Sequence, residues 1–272
     1  MINLIATAIG FYTVFVGGLY LVQRELIYLP SGPMDTPASS GVPEMRPIRL
    51  TTEDGLTLTS WYRPAEPGQP TMVYFQGNGG NIAGRAFKVR PYLDAGFGML
   101  LVGYRGYGGN PGKPSEQGLY ADGRAQFEFL EGQGIGPESW VVYGESLGAG
   151  VAVQLAMEQA RKSSLGAVVL EAPFTSLSDV AAVHYPFVPA RVLIKDRFES
   201  IAKIDKVKAP VFIVNGDRDG VIPPEQGKRL FRAAIEPKEG HWIPGAGHNN
   251  LYDYGVSGMV IEFIRKTAAT AK

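Results

Sequence analysis

Cysteine is absent from all 272 residues. Disulfides, thiolate metal sites and a cysteine nucleophile are therefore excluded, and cysteine usage says nothing of the redox compartment. Excess charge is absent too. Lys plus Arg and Asp plus Glu each number 26, which argues against a nucleic-acid binder, because such proteins carry a basic surplus. Histidine is scarce. His184, His241 and His248 lie far apart, with no H-x-x-x-H spacing, so a histidine-built zinc site is not expected. No repeat at a period of about 20–50 residues is visible. Apolar side chains are plentiful: 45% of the chain is hydrophobic, enough for a large core in one α/β domain.

Charge is also missing from the N-terminus. "MINLIATAIGFYTVFVGGLYLVQ" has no charged side chain before Arg24. As a helix of ~20 residues it would reach ~30 Å, the thickness of a bilayer core. Residues 1–23 are therefore predicted to be a transmembrane anchor. Tyr20 and Tyr28 suit the interfaces, whereas Tyr12 is too central for that role. A cleaved signal peptide is the main alternative, but neither a basic n-region nor an A-x-A-like site accompanies the run. A helix buried in the fold is a third reading. Arg24 and Glu25 nearly cancel, so flanking charge does not choose a side of the membrane.

Residues 24–47 read as a linker or extended wrap, rich in Pro and Gly. In "IRLTTEDGLTLTSWYRP" two strands flank Asp54-Gly55, a hairpin signal. Beyond Pro70, short apolar runs begin at residues 71, 98, 140, 167, 210 and 241. Helical periodicity covers 81–94, 115–131, 147–162, 224–235 and 249–267 between and after them. Continuous apolar strands alternating with helices predict an α/β fold: a mostly parallel twisted sheet with helices on both faces, preceded by an antiparallel hairpin. The interval of about forty residues before the strand near 211 is too long for a simple crossover. A small helical lid over about 174–206 is expected there, an ordinary helical excursion being the alternative.

Two glycine-rich turns follow strands. In "FQGNGGNIAGRA" the dinucleotide pattern G-x-G-x-x-G needs glycine at position 82, where Ile82 stands. A phosphate-binding P-loop ending at Gly84 needs Lys and then Ser or Thr, where Arg85 and Ala86 stand. Both patterns fail. The turn suits instead an oxyanion held by backbone N–H groups, or a plain turn.

The second turn, Gly144-Glu145-Ser146-Leu147-Gly148, is G-x-S-x-G between a predicted strand and a predicted helix. That context raises the serine hydroxyl above the sheet, and the glycines permit close packing. A serine needs a base. His248, in "GAGHNN" after the last predicted strand, is the candidate. His241 reads as a strand residue and His184 falls in the lid. A base needs an acid to fix its tautomer, and "NGDRDGVIP" offers Asp217 and Asp219, between which spacing does not choose. The order Ser, Asp, His is that of an α/β-hydrolase.

With "QRELIYLP", "QGNGGN", "YRGYGGNPGKPSEQGLYAD", "GESLGAG", "EAPFTSLSD", "GDRDGVIP" and "GAGHNN" in place, the chain resembles the α/β-hydrolase superfamily, and within it the membrane-anchored, small-lid BEM46 / ABHD13-like group. The resemblance spans nearly the whole sequence, with residues 48–272 as the catalytic domain. It implies that Asp219, three residues after Gly216, is the acid, and that Asp217 is a turn or capping residue. It also implies an oxyanion hole from the backbone N–H groups of Asn78 and Leu147. The group usually has His-Gly where this chain has Gln76-Gly77, so no side-chain role is expected at position 76. Tyr104 and Arg105, in "YRGYGG", are expected to structure their loop.

The combined expectation is a serine hydrolase of esterase or lipase type (EC 3.1) that cleaves carboxylic esters or thioesters through an acyl-enzyme. Ser146 is the nucleophile, His248 the base and Asp219 the acid. No metal or organic cofactor is called for. The expected partners are a small-molecule or lipid acyl substrate and a membrane, not nucleic acid. Hydrolysis should fall as pH drops through the ordinary histidine range, ~6.5. A peptidase or amidase on the same fold, and a non-catalytic anchored binding protein, are the alternatives.

Overall fold

A computed structural model describes residues 2–270. Eight strands form one sheet: β1 Arg46–Thr51, β2 Thr57–Arg63, β3 Thr71–Phe75, β4 Gly98–Leu101, β5 Trp140–Glu145, β6 Ala167–Glu171, β7 Val211–Gly216 and β8 Lys238–Ile243. Their spatial order is β8-β7-β6-β5-β3-β4-β2-β1. The β1–β2 and β2–β4 pairs are antiparallel, and every other pairing is parallel. The predicted hairpin is β1–β2, with Gly55 at φ +84° in its turn, a conformation open to glycine at little cost.

Every residue of β3 to β7 is buried, which explains their unbroken apolar runs. Helices α1 Ile2–Ile27, α2 Ala86–Asp94, α3 Glu116–Gly132, α4 Leu147–Gln159, α5 Leu177–His184, α6 Ala190–Leu193, α7 Pro224–Ala233 and α8 Val256–Thr270 complete the chain. Residues of α3, α4 and α7 build one apolar core with β3, β5 and β7. Those of α2 and α8 build a second core. Side chains of one strand alternate between the two: Val142 enters the first, Val141 and Tyr143 the second. Caps start the helices where the sequence allows. Ser115 Oγ accepts the Gly118 N–H at 3.1 Å, and Ser176 Oγ accepts the Asp179 N–H at 3.1 Å.

Three elements differ in their bounds from the sequence reading: the helix read over 249–267 is a 3-10 turn, Leu251–Tyr254, followed by α8 from Val256, and the last strand and α1 differ as follows. The last strand begins at Lys238, not 241. It lies at the sheet edge and is only half-buried, so polar residues occupy it and no apolar run marks its start. Helix α1 continues past residue 23 through Arg24 and Glu25 to Ile27. Arg24 is held there by two bonds to Asp196, at 2.8 and 3.0 Å. The segment that follows is packed. Tyr28, Val42 and Met45 are buried, and Leu29–Pro30 pairs in parallel with Gly79–Gly80. The excursion after β6 holds α5, α6 and two short 3-10 turns, Ser200–Ala202 and Ile204–Lys206.

Candidate active site

Strand β5 ends beneath a sharp turn. Ser146 adopts φ +51°, ψ −113°, a strained conformation for a residue with a Cβ, costing on the order of 1–3 kcal/mol. The Ser146 N–H donates to the Glu171 carbonyl at 2.8 Å, tying the turn to the neighbouring strand. The flanking glycines are sterically required. A Cβ on Gly144 would lie 2.5 Å from the Ala149 Cα, and one on Gly148 only 2.1 Å from the Phe75 carbonyl oxygen.

The structure brings Asp219 and His248 to this serine from the loops after β7 and β8. His248 Nε2 lies 3.0 Å from Ser146 Oγ, and its Nδ1 lies 2.7 Å from Asp219 Oδ2. Asp219 Oδ1 accepts the Val221 and Ile222 N–H groups, each at 2.8 Å. A carboxylate only accepts, so Nδ1 donates to it and Nε2 is left to accept the serine hydroxyl proton. Of the two aspartates that spacing left open, Asp219 is the one that reaches His248. Asp217 points elsewhere, its Oδ1 accepting the Gly245 N–H at 2.7 Å. His241 lies on β8 beside Glu239, stacked on Phe212. His184 Nε2 is 2.8 Å from the Val221 carbonyl.

The glycine turn after β3 is anchored from three directions. Its Asn78 carbonyl accepts the Tyr107 hydroxyl at 2.8 Å and the Leu29 N–H at 2.9 Å. The Asn78 side chain donates to the Ile27 carbonyl at 2.9 Å. Asn78 is thus fixed partly by the segment that leaves α1. Gln76 is buried, and its side-chain amide has no partner among the described residues. Its carbonyl accepts the Tyr104 hydroxyl at 3.2 Å. Arg105 clamps Asp54 and Asp122. Tyr104 thus contacts the strand end that leads into the glycine turn, and Arg105 ties its own loop to Asp54 and Asp122.

Sequence reasoning missed an ionic cluster below the serine turn. Glu145 takes Arg85 at 3.0 and 3.1 Å, Lys88 at 3.3 Å and the Tyr74 hydroxyl at 2.8 Å. Glu171 takes Lys88 at 2.8 Å and the Tyr143 hydroxyl at 2.6 Å. Burial alone would raise the Glu145 pKa, but Lys88 and Arg85 outweigh it and hold the carboxyl down at about 2. Burial pushes the Tyr74 and Tyr143 hydroxyls well above their ordinary range, so both remain donors. One signal was present in the sequence. Glu145 and Glu171 end adjacent apolar strands, and two carboxylates at buried strand ends require cations.

Ser146, Leu147 and Asn78 face a cavity of about 480 Å³, within the usual ~300–1,000 Å³ of small-molecule sites. Its walls are apolar. One comes from the excursion, including Leu177 and Val180, and the other from α1, including Leu19 and Ile27. Among the described residues, no cluster of three or more His, Asp or Glu is arranged to hold a metal ion.

This strand order, with the serine turn after β5 and the aspartate and histidine after β7 and β8, defines an α/β-hydrolase fold. Solved structures agree. An esterase from Pyrococcus furiosus matches with a TM-score of 0.67 at 19% identity, covering 88% of this chain and 97% of its own. An esterase from Exiguobacterium antarcticum matches at 0.64 and 14% identity, covering 81% and 100%. At such identities the likeness concerns the fold. A family model described as an alpha/beta hydrolase domain matches residues 124–253. An uncharacterized protein of Mycobacterium tuberculosis is 46% identical over 232 residues, covering 84% of this chain and 81% of its own. Protein bem46 of Schizosaccharomyces pombe is 31% identical over 248 residues, covering 86% and 82%. The chain belongs to the BEM46-type α/β-hydrolases.

Proposed function

We propose that the protein is a serine acyl hydrolase cleaving carboxylic esters or thioesters. The observation that carries this reading is the continuous relay Asp219–His248–Ser146 at the wall of an apolar cavity. Ser146 Oγ attacks the acyl carbonyl while His248 Nε2 takes its proton. The carbonyl becomes an oxyanion, received by the backbone N–H groups of Asn78 and Leu147. Leu147 is the first residue of α4, so its N–H has no acceptor within the helix. Each such donor is typically worth ~10²–10³ in rate. His248 then protonates the leaving alcohol or thiol. Water, deprotonated by the same nitrogen, releases the acid from Ser146. Every proton passes through His248, and the mechanism calls for no cofactor.

The lining favours acyl chains over peptides, because it is overwhelmingly apolar. The excursion over the cavity serves as a small lid. Helix α1 is the membrane anchor: it is apolar over Asn3–Ile27, long enough to cross a bilayer, and not enclosed by the rest of the protein. Its contacts with the lid favour retention over cleavage as a signal. A hydrolysis panel of p-nitrophenyl esters of increasing chain length, with one thioester and one peptide amide, tests the reading. Esters or the thioester should be turned over and the amide should not. Turnover of the amide alone would favour the peptidase, and turnover of none would favour a binding protein.

A further inference from the structure

We infer that the lid is immersed in the bilayer beside α1, and that the cavity takes the acyl chain of a lipid ester laterally from the membrane. This rests on the hydrolase reading above and adds the substrate's class and route.

Three observations converge. First, α1 is part of the cavity. Leu19, Gln23 and Ile27, spaced four apart along one face, are half-buried against it, and the lid stands opposite. A helix serving only as a tether would need no such face.

Second, the lid climbs the anchor. Near the helix end, Arg24 pairs with Asp196, and Gln23 accepts the Lys195 N–H at 2.7 Å. Farther along, the Tyr12 hydroxyl donates to the Phe187 carbonyl at 2.7 Å, and the Phe15 and Phe187 rings lie 6.2 Å apart. Tyr12 and Ile27 are about 22 Å apart along the helix at 1.5 Å per residue. If α1 spans a bilayer core of ~30 Å, the Phe187 end of the lid reaches well inside it. This also gives Tyr12, too central for an interface, a hydrogen-bond partner at membrane depth.

Third, the lid's outer surface suits hydrocarbon. Val192 is 81% exposed, Phe187 57% and Val183 54%. Phe187 adjoins the exposed apolar surface of α1 through Phe15, and Phe11 and Val14 on that helix are each 74% exposed. Among the charged lid residues, Lys195 and Asp196 lie beside Tyr20 and Arg24, toward the end of α1 nearest the catalytic domain, the level of the headgroups, whereas Arg191, next to Val192 and 69% exposed, is paired with Asp179 at 3.0 Å. The cavity between two membrane-facing walls is thus reached from the acyl region, with Ser146 at its inner end.

The test uses the full chain reconstituted in phosphatidylcholine vesicles. One substrate is p-nitrophenyl acetate in water; the other is 4-methylumbelliferyl oleate embedded in the same vesicles. For the wild type, oleate ester hydrolysis should follow its mole fraction in the bilayer, not its bulk concentration. Val192→Asp and Phe187→Asp alter the outer face and line no part of the cavity. Each should lower hydrolysis of the embedded ester by ~10-fold or more, the scale set by an acidic side chain in hydrocarbon, and leave acetate hydrolysis within about two-fold. Retained acetate hydrolysis also shows that each variant is folded. An unchanged oleate rate in both variants, a rate that follows bulk concentration, or acetate turnover with the embedded ester untouched would overturn the inference alone. Turnover of neither ester by the wild type would overturn the hydrolase reading and this inference together.

Discussion

Replacing Asp219 by Asn changes one atom and should nearly abolish turnover. The carboxylate accepts from three N–H groups: Val221 and Ile222 on Oδ1 and His248 Nδ1 on Oδ2. An amide has one accepting end. If its NH₂ faced the two backbone N–H groups, both would be orphaned, at about 1–3 kcal/mol each. The cheaper arrangement keeps the oxygen there and turns the NH₂ toward His248. Nδ1 must then accept, its proton moves to Nε2, and Nε2 donates to Ser146 Oγ instead of taking its proton. The fold and ring position are retained with the wrong tautomer, a change worth ~10⁴ in kcat in a relay of this kind, or about 5.5 kcal/mol of activation free energy. KM should change little. The assay is steady-state hydrolysis of a short p-nitrophenyl ester by wild type, Asp219→Asn and Asp217→Asn. Asp217 accepts a single N–H, from Gly245, which an amide oxygen serves equally well, so its variant should remain within a few-fold of wild type. An Asp219→Asn protein within ten-fold of wild type, or an Asp217→Asn protein as inactive as expected for Asp219→Asn, would refute the reasoning.

Two further substitutions probe the support beneath the serine. Gly148→Ala drives a Cβ against the Phe75 and Gln76 carbonyl oxygens, at 2.1 and 2.7 Å; backbone there must shift by roughly 1 Å, costing ~10²-fold in kcat, whereas Gly258→Ala, with open space around it, should leave kcat unchanged. Glu145→Gln leaves Arg85 and Lys88 buried around a neutral amide and should destabilise the protein by about 3 kcal/mol or more at pH 7, read by denaturant titration. The Glu145 pKa falls from 4.5 to about 2 on folding, so its contribution is full above pH 4.5 and is lost as pH falls toward 2; over that window the wild type should lose stability more steeply than Glu145→Gln.

The fold and the residues of the proposed relay were legible because each depends on local pattern. Buried parallel strands write themselves as apolar runs, and Ser146, Asp219 and His248 each sit in a loop just past one. Strand β8 hid its start because an edge strand keeps polar residues such as Lys238 and Glu239. The Glu145–Arg85–Lys88–Glu171 cluster spans 86 residues of chain and exists only once β5 and β6 are paired, so no short window contains it. The largest surprise concerns α1. Before Gln23 it is apolar on nearly every side, and this conceals the face that lines the cavity. The partners that reveal that face, Phe187 and Asp196, lie about 170 residues away. Ile27, whose carbonyl steadies the Asn78 side chain, lies 51 residues from it in sequence.

The central claim is that Ser146 is an activated nucleophile. A fluorophosphonate probe reports this directly by forming a covalent bond to a serine oxygen made reactive by its base. The full-length wild type should be labelled stoichiometrically, with the adduct on Ser146 by peptide mass spectrometry, and Ser146→Ala should show no labelling while keeping the wild-type unfolding profile. A folded wild type that resists the probe, or a Ser146→Ala variant labelled as fully as wild type, would contradict the account.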